Sequence, residues 1–227
     1  MPVFQLTEDL VFPPPTLARK DGLLAVGGDL SIPRLLLAYQ QGIFPWYSEG
    51  DPILWWAPSP RFIIELQEFR KPRRLARLIK QGTFRVTVDR EFRQVIGACA
   101  TVERRQGKGT WITPAVVESF SALHDLGYAH SVECWRAGEL AGGIYGLALG
   151  NIFFGESMFS RIPNSSKVAL AVLAELLTRL NYRLIDCQIK SAHLRQFGAK
   201  EIPGALFQAK LAENARGPTR RGRWFLG

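Results

Sequence analysis

AHSVECWRAGELAGGIYGLALGNIFFGESMFS, residues 129–160, decides the fold. It reads as three strands, about 129–136, 139–149 and 152–159, joined by Ala137-Gly138 and Gly150-Asn151. Such two-residue junctions supply the positive φ values that tight hairpins need. Outward from it, the apolar period changes to that of helices. Upstream lie a possible basic helix at 71–81, a strand at 84–88, a helix from Asp89 to about Ala100, a loop, and a helix from Pro114 stopped at Gly127. Downstream, Asn164-Ser165-Ser166 should cap an apolar helix ending near Leu180. A strand at 183–189, a short helix at 191–197 and an extended piece at 200–203 follow.

Residues 1–60 differ in character and are expected to form a small separate domain before a 61–227 domain. Phe12 to Pro15, the pair Gly27-Gly28, and a short helix opened by Ser31-Ile32-Pro33 and closed by Gly42 punctuate the segment. The stretch 52–60, rich in tryptophan and proline, reads as a packed turn or edge strand. From residue 84 on, the order is strand, helix, helix, three antiparallel strands, helix, strand, helix, strand. That is the connection order of the GNAT acyltransferases, so the class is α/β (α+β) with a mixed sheet. An order of elements licenses no chemistry by itself.

The chain has 227 residues, 47% of them hydrophobic and 22% charged, enough for a sizeable core and incompatible with disorder or a fibrous repeat. No apolar run approaches membrane-spanning length and the N-terminus lacks a signal-peptide pattern, so a cytoplasmic protein is expected. Cys99, Cys134 and Cys187 form no CxxC, and His124, His130 and His193 have no ligand spacing, so no metal is expected. The net charge of +9 is concentrated: residues 70–93 carry nine Lys and Arg against Asp89 and Glu91. Further basic groups lie at Arg104, Arg105 and Lys108 and in the tail from Arg216 to Trp224. Contact with nucleic acid is the expectation, a solvated charged face the alternative.

Two features point to chemistry. Glu156 is an acid among aromatics and is either paired or has a task. Asp186 and Gln188, two apart in a strand, would share a face with Leu184, with Ile185, Cys187 and Ile189 on the other. Arg104, Gly107 and Gly109 match a pyrophosphate-cradling pattern, but no strand leads into them, so acetyl-CoA use is not expected.

Six blocks in order, GLLAVGGDL (22–30), GIFPWY (42–47), DPILWWAP (51–58), GTWIT (109–113), GESMFSR (155–161) and LIDCQ (184–188), closely resemble the leucyl/phenylalanyl-tRNA–protein transferases. The resemblance implies a cofactor-free bacterial enzyme. It would move Leu or Phe from aminoacyl-tRNA to proteins with N-terminal Arg or Lys, marking them for degradation, on a small N-terminal domain packed against a GNAT-like one. Asp186 and Gln188 match the family's catalytic pair and Glu156 a third polar site residue. Trp46, Trp111 and, less closely, Tyr39 match aromatics near the 3′-terminal adenosine. Ile144, Phe153, Leu170, Leu173 and Ile185 would line an apolar aminoacyl pocket. Arg73, Arg74, Arg77 and Lys80 are expected on the acceptor stem, and a monomer without membrane contact is expected. Another GNAT-like acyl or aminoacyl transferase and a noncatalytic RNA-binding protein are the alternatives.

Overall fold

The computed structural model describes residues 3–101 and 110–226. The chain begins with β1 (Phe4–Leu6), β2 (Leu23–Gly27), α1 (Ile32–Gln40), β3 (Phe44–Pro45) and β4 (Leu54–Trp56). These strands form a four-stranded sheet ordered β1-β2-β4-β3. β4 therefore lies between two strands, not at an edge as the prolines around it suggested. Its prolines fall outside the paired residues, where a missing N–H costs no ladder bond.

A seven-stranded sheet starts at β5 (Arg61–Glu65) and continues after α2 (Arg73–Lys80) with β6 (Arg85–Val88). Then come α3 (Phe92–Thr101), α4 (Pro114–Asp125), β7 (Ala129–Arg136), β8 (Glu139–Leu149), β9 (Ile152–Ser160), α5 (Ser165–Arg179), β10 (Leu184–Asp186), α6 (Ala192–Arg195), β11 (Lys200–Ile202) and α7 (Gly204–Asn214). The spatial order is β11-β5-β10-β9-β8-β7-β6. Every pair is antiparallel except β9 with β10. The expected order from residue 84 onward is present as a mixed sheet. The sequence reading contains no counterpart of β1, β2, β3, β5 or α7.

Helices cover both faces of this sheet, which is why β8 and β9 read as nearly continuous apolar runs. Tyr145, Leu147, Ile152 and Phe154 face a core shared with α1, α3, α4 and the four-stranded sheet. Ile144, Ala148 and Phe153 face the other core, beneath α5 and α2. The hairpins close as expected: Ala137 and Gly138 have φ of 51° and 83°, and Gly150 has φ 53°.

Three local expectations change. Asp89 does not open α3. It is buried with φ 53° and accepts hydrogen bonds, and the helix starts at Phe92. Asn164 is the residue before α5 but is left-handed, and its side chain makes no cap. The first turn is satisfied instead by Ser160 Oγ, which accepts from Ser166 N at 3.1 Å. The strand expected at 183–189 is paired only from Leu184 to Asp186.

Candidate active site

The parallel pairing of β10 with β9 ends at Asp186 opposite Phe154. Beyond it the two chains part, and a cavity of about 370 Å³ opens between Gly155–Met158 and Cys187–Ile189. A site at the C-terminal ends of adjacent parallel strands is a common consequence of this topology. Its remaining wall comes from Phe44, Pro45 and Trp46 after α1, Trp111 before α4, Ile144, Leu170, and Ser191, His193 and Leu194 around α6.

A break in register places Glu156. Tyr145 pairs with Ser157 and Gly146 with Gly155, so Glu156 is the unpaired extra residue of a β-bulge. The bulge breaks the alternation of faces, and Glu156, Ser157 and Met158 all line the cavity. Glu156 Oε1 accepts a 2.8 Å hydrogen bond from Gln188 Nε2. Glu156 Oε2 and the Tyr39 hydroxyl are enclosed and face one another closely enough to interact, though without the geometry of a full hydrogen bond. Burial, reinforced by nearby Asp186, raises the Glu156 carboxyl from an ordinary 4.5 to about 8, against the pull of Tyr39, Gln188 and Arg61. At neutral pH the group is thus mostly a carboxylic acid.

Gln188 reaches Glu156 by a route the sequence reading did not foresee. It lies past the end of β10 with φ 61°, so period-two alternation does not place it beside Asp186. The link is through the backbone: Gln188 N donates to Asp186 Oδ1 at 2.9 Å. Asp186 itself is fully buried and does not line the cavity. Arg61, the first residue of β5, holds it with Nε on Oδ1 at 2.9 Å and Nη2 on Oδ2 at 2.7 Å. Cys187 also lines the cavity, but burial pushes its thiol well above the ordinary range, so no thiolate nucleophile is at hand.

Comparison with known proteins decides the family. The description "Leucyl/phenylalanyl-tRNA protein transferase" matches residues 63–212, and that of the same family's N-terminal domain matches residues 28–59. The chain belongs to the leucyl/phenylalanyl-tRNA–protein transferase family. A relative of that name from Syntrophobacter fumaroxidans is 57% identical, over 94% of this chain and 92% of the relative. Another, from Desulfatibacillum aliphaticivorans, is 53% identical over 100% of this chain and 97% of the relative. Among solved structures, an aminoglycoside acetyltransferase from an uncultured soil metagenomic sample aligns with 65% of this chain and 98% of its own, at 10% identity and a TM-score of 0.39.

Of the residues carried over from this transferase family, the structure brings Trp46, Trp111, Ile144, Glu156, Leu170, Ile185 and Gln188 together on the cavity wall. Four others are elsewhere. Tyr39 is fully buried behind Glu156, edge-on to Phe120 and Phe154, and does not border the cavity. Phe153 points to the opposite face, near Trp224 in the α5 core. Leu173, three residues beyond Leu170 on α5, is buried in that same core. Asp186 stands behind Gln188. Arg73, Arg74, Arg77 and Lys80 lie exposed on α2, which packs through Leu75. Arg104, Arg105, Gly107, Lys108 and Gly109 fall outside the described residues.

Sequence reasoning missed Arg61, Phe44, Met158, Ile189 and His193. Arg61 carried a usable signal, a charge opening the apolar run Phe62-Ile63-Ile64. Among the described residues no helix is long and apolar enough to cross a membrane.

Proposed function

We propose that this cavity transfers Leu or Phe from aminoacyl-tRNA to the α-amine of proteins beginning with Arg or Lys. The observation that carries the reading is the Glu156–Gln188 pair on the wall of a cavity whose other lining is chiefly apolar. An aminoacyl side chain fits the wall of Ile144, Leu170 and Ile185, while Trp46 and Trp111 offer stacking surfaces to a terminal adenosine. Family membership supports the activity. The Arg or Lys acceptor follows from the resemblance alone.

The reaction is aminolysis of an ester: a C–N bond forms, the C–O bond to the ribose breaks, and a proton passes from the amine to the departing oxygen. An α-amine has an ordinary pKa of about 7.7 to 8.0, so a neutral fraction exists at cellular pH and positioning supplies much of the acceleration. Because Gln188 Nε2 is committed to Glu156, its amide oxygen is the atom left to accept an N–H of the attacking amine. Asp186 fixes the Gln188 backbone and, with neither oxygen open to the cavity, acts as a positioning residue. Residues 1–60 serve as a small domain completing the wall of the 61–227 domain. The cations of α2 contact acceptor-stem phosphates, whose neutralisation makes binding salt-dependent.

The test is transfer of labelled leucine or phenylalanine from charged tRNA to peptides differing only in an N-terminal Arg, Lys or Ala. Labelling of the Arg and Lys peptides alone is expected. No labelling by folded protein that still binds charged tRNA would overturn the proposed activity. In the same assay, Arg73→Glu/Arg77→Glu should raise the donor KM and flatten its salt dependence while leaving kcat unchanged.

A further inference from the structure

The described residues include two arginines with almost no exposure, and they use their donors differently. Arg34 bonds the carbonyls of Thr7, Glu8 and Asp9 as well as Asp29, stapling the N-terminal segment to α1. Arg61 bonds Asp186 through both Nε and Nη2, and Asp186 in turn holds Gln188. We propose that Arg61 is a positioning residue for transfer, setting the place of the Gln188 amide through Asp186. This inference rests on the reading of the cavity as the transfer site.

The geometry favours it step by step. Asp186 Oδ1 accepts from both Arg61 Nε and Gln188 N, so its acceptor direction toward Gln188 depends on the rotation of the carboxylate. The planar guanidinium fork fixes that rotation, which a lysine ammonium, a point charge, does not. Gln188 sits at φ 61°, a region unfavourable for a side-chain-bearing residue, and its N–H bond to Asp186 offsets that preference. From this backbone Nε2 reaches Glu156 at 2.8 Å, which leaves the amide oxygen as the free acceptor of a residue on the cavity wall. The guanidinium carbon also lies 4.9 Å from the Phe44 ring and 4.7 Å from the Phe207 ring. Phe44 lines the cavity and Phe207 belongs to α7, so the same cation sets the wall from which Trp46 projects.

A structural ion pair and a positioning device predict different kinetics. We would compare the unsubstituted protein with Arg61→Lys and with Arg61→Met/Asp186→Leu, measuring kcat and both substrate KM values per folded molecule together with thermal unfolding. Replacing a buried pair by apolar groups of similar size commonly restores stability. The double variant should therefore keep the stability of the ion pair, less the cost of the acceptor taken from Gln188 N, yet transfer about 100-fold more slowly, the loss expected from a misplaced reacting group. Arg61→Lys should fold and lose at least about 10-fold in kcat, with the KM for charged tRNA changed by less than about threefold. Arg61→Lys with kcat within about threefold of the original overturns the inference whether or not the double variant folds. So does recovery of kcat along with stability in the double variant. Failure of the unsubstituted protein to transfer at all overturns the proposed function, and this inference with it.

Discussion

Asp186 and Asp89 are built from the same parts: each is a buried carboxyl, 0% and 2% exposed, saturated by donors, with a left-handed residue at hand, Gln188 for the first and Asp89 itself for the second. Asp89 accepts from Ser131 N at 2.9 Å, His130 Nδ1 at 2.8 Å and Trp224 N at 2.8 Å. The Trp224 indole lies flat on the His130 ring with centroids 3.6 Å apart. The segment leading to it is fastened by Thr219 Oγ1, which accepts from Gly150 N, and by Arg221 over the Tyr128 ring. The hydrogen bonds of Asp89 lead to His130, Ser131 and Trp224, all buried, and none of the three lines the cavity beside Glu156. The path from Asp186 ends at a Gln188 amide facing a cavity. Burial and saturation are common to both centres, so neither marks function; what does is where the last polar group in the chain points.

Replacing the two aspartates in turn tests that distinction most severely. Asp186→Ala should reduce kcat by at least about 100-fold in the folded protein, since Gln188 loses its acceptor and Arg61 its partner. Asp89→Ala strands two backbone N–H groups and a histidine, at a cost of several kcal/mol in stability, but should leave kcat per folded molecule within about threefold. Transfer assays normalised to the folded fraction by circular dichroism would show it. Equal losses of kcat in both variants would erase the contrast.

The centres should also respond to pH with opposite sign. Glu156 titrates near 8 when folded and near 4.5 in its ordinary state, so the folded protein holds a proton that the unfolded chain releases. Stability is then full below about pH 4.5 and is lost as pH rises toward 8, on the order of a few kcal/mol. Burial instead depresses His130 below its ordinary 6.5, so the unfolded chain binds the proton more readily and stability is lost as pH falls below that value. Denaturant titrations at several pH values should show Glu156→Gln with a smaller alkaline decline, the part left to buried Glu133, whose carboxyl burial also raises, and an unchanged acid one. His130→Gln should keep the alkaline decline and lose the part of the acid one that begins near 6.5, leaving the decline at lower pH to Asp29 and Glu65, whose carboxyls are held below their ordinary values by Ser31 and Lys210. A Glu156→Gln protein that still weakens in parallel with the original up to pH 8 would mean that this carboxyl is ionised throughout.

How far the site was legible varies with the kind of signal. The strands 129–136 and 139–149 and the helix opened by Pro114 follow from local periodicity and turn chemistry, and the structure places them within a residue or two. Glu156 stood out because an acid among aromatics is costly unless it has a partner. The association of Asp186 with Gln188 was anticipated, but for the wrong physical reason, since a three-residue strand has no second turn of alternation to offer. Arg61 with Asp186, 125 residues apart, leaves no periodic trace, and neither does Trp224 over His130. An apolar residue that walls a cavity and one that fills a core look alike in sequence, and that is why Tyr39, Phe153 and Leu173 were grouped with residues the cavity contains.

The same ambiguity gives the finest test, between two leucines one helical turn apart on α5. Leu170 and Leu173 are each 1% exposed, but Leu170 borders the cavity and Leu173 does not. Truncating Leu173 leaves a hole that the surrounding side chains of the α5 core share, so Leu173→Ala should cost about 2 to 5 kcal/mol of stability and leave the ratio of kcat/KM for leucyl and phenylalanyl donors unchanged. Truncating Leu170 enlarges the cavity itself. The larger phenylalanyl group gains room while the leucyl group loses contact, so the ratio should move toward phenylalanine, by no more than the 10- to 200-fold or so that a small change of apolar volume can supply. Measuring both donors in competition cancels any change in folded fraction, because the two compete for the same molecules. A ratio that moves in Leu173→Ala and stays fixed in Leu170→Ala would place the aminoacyl side chain on the other side of the helix, and the wall of Ile144 and Ile185 would lose its assigned role.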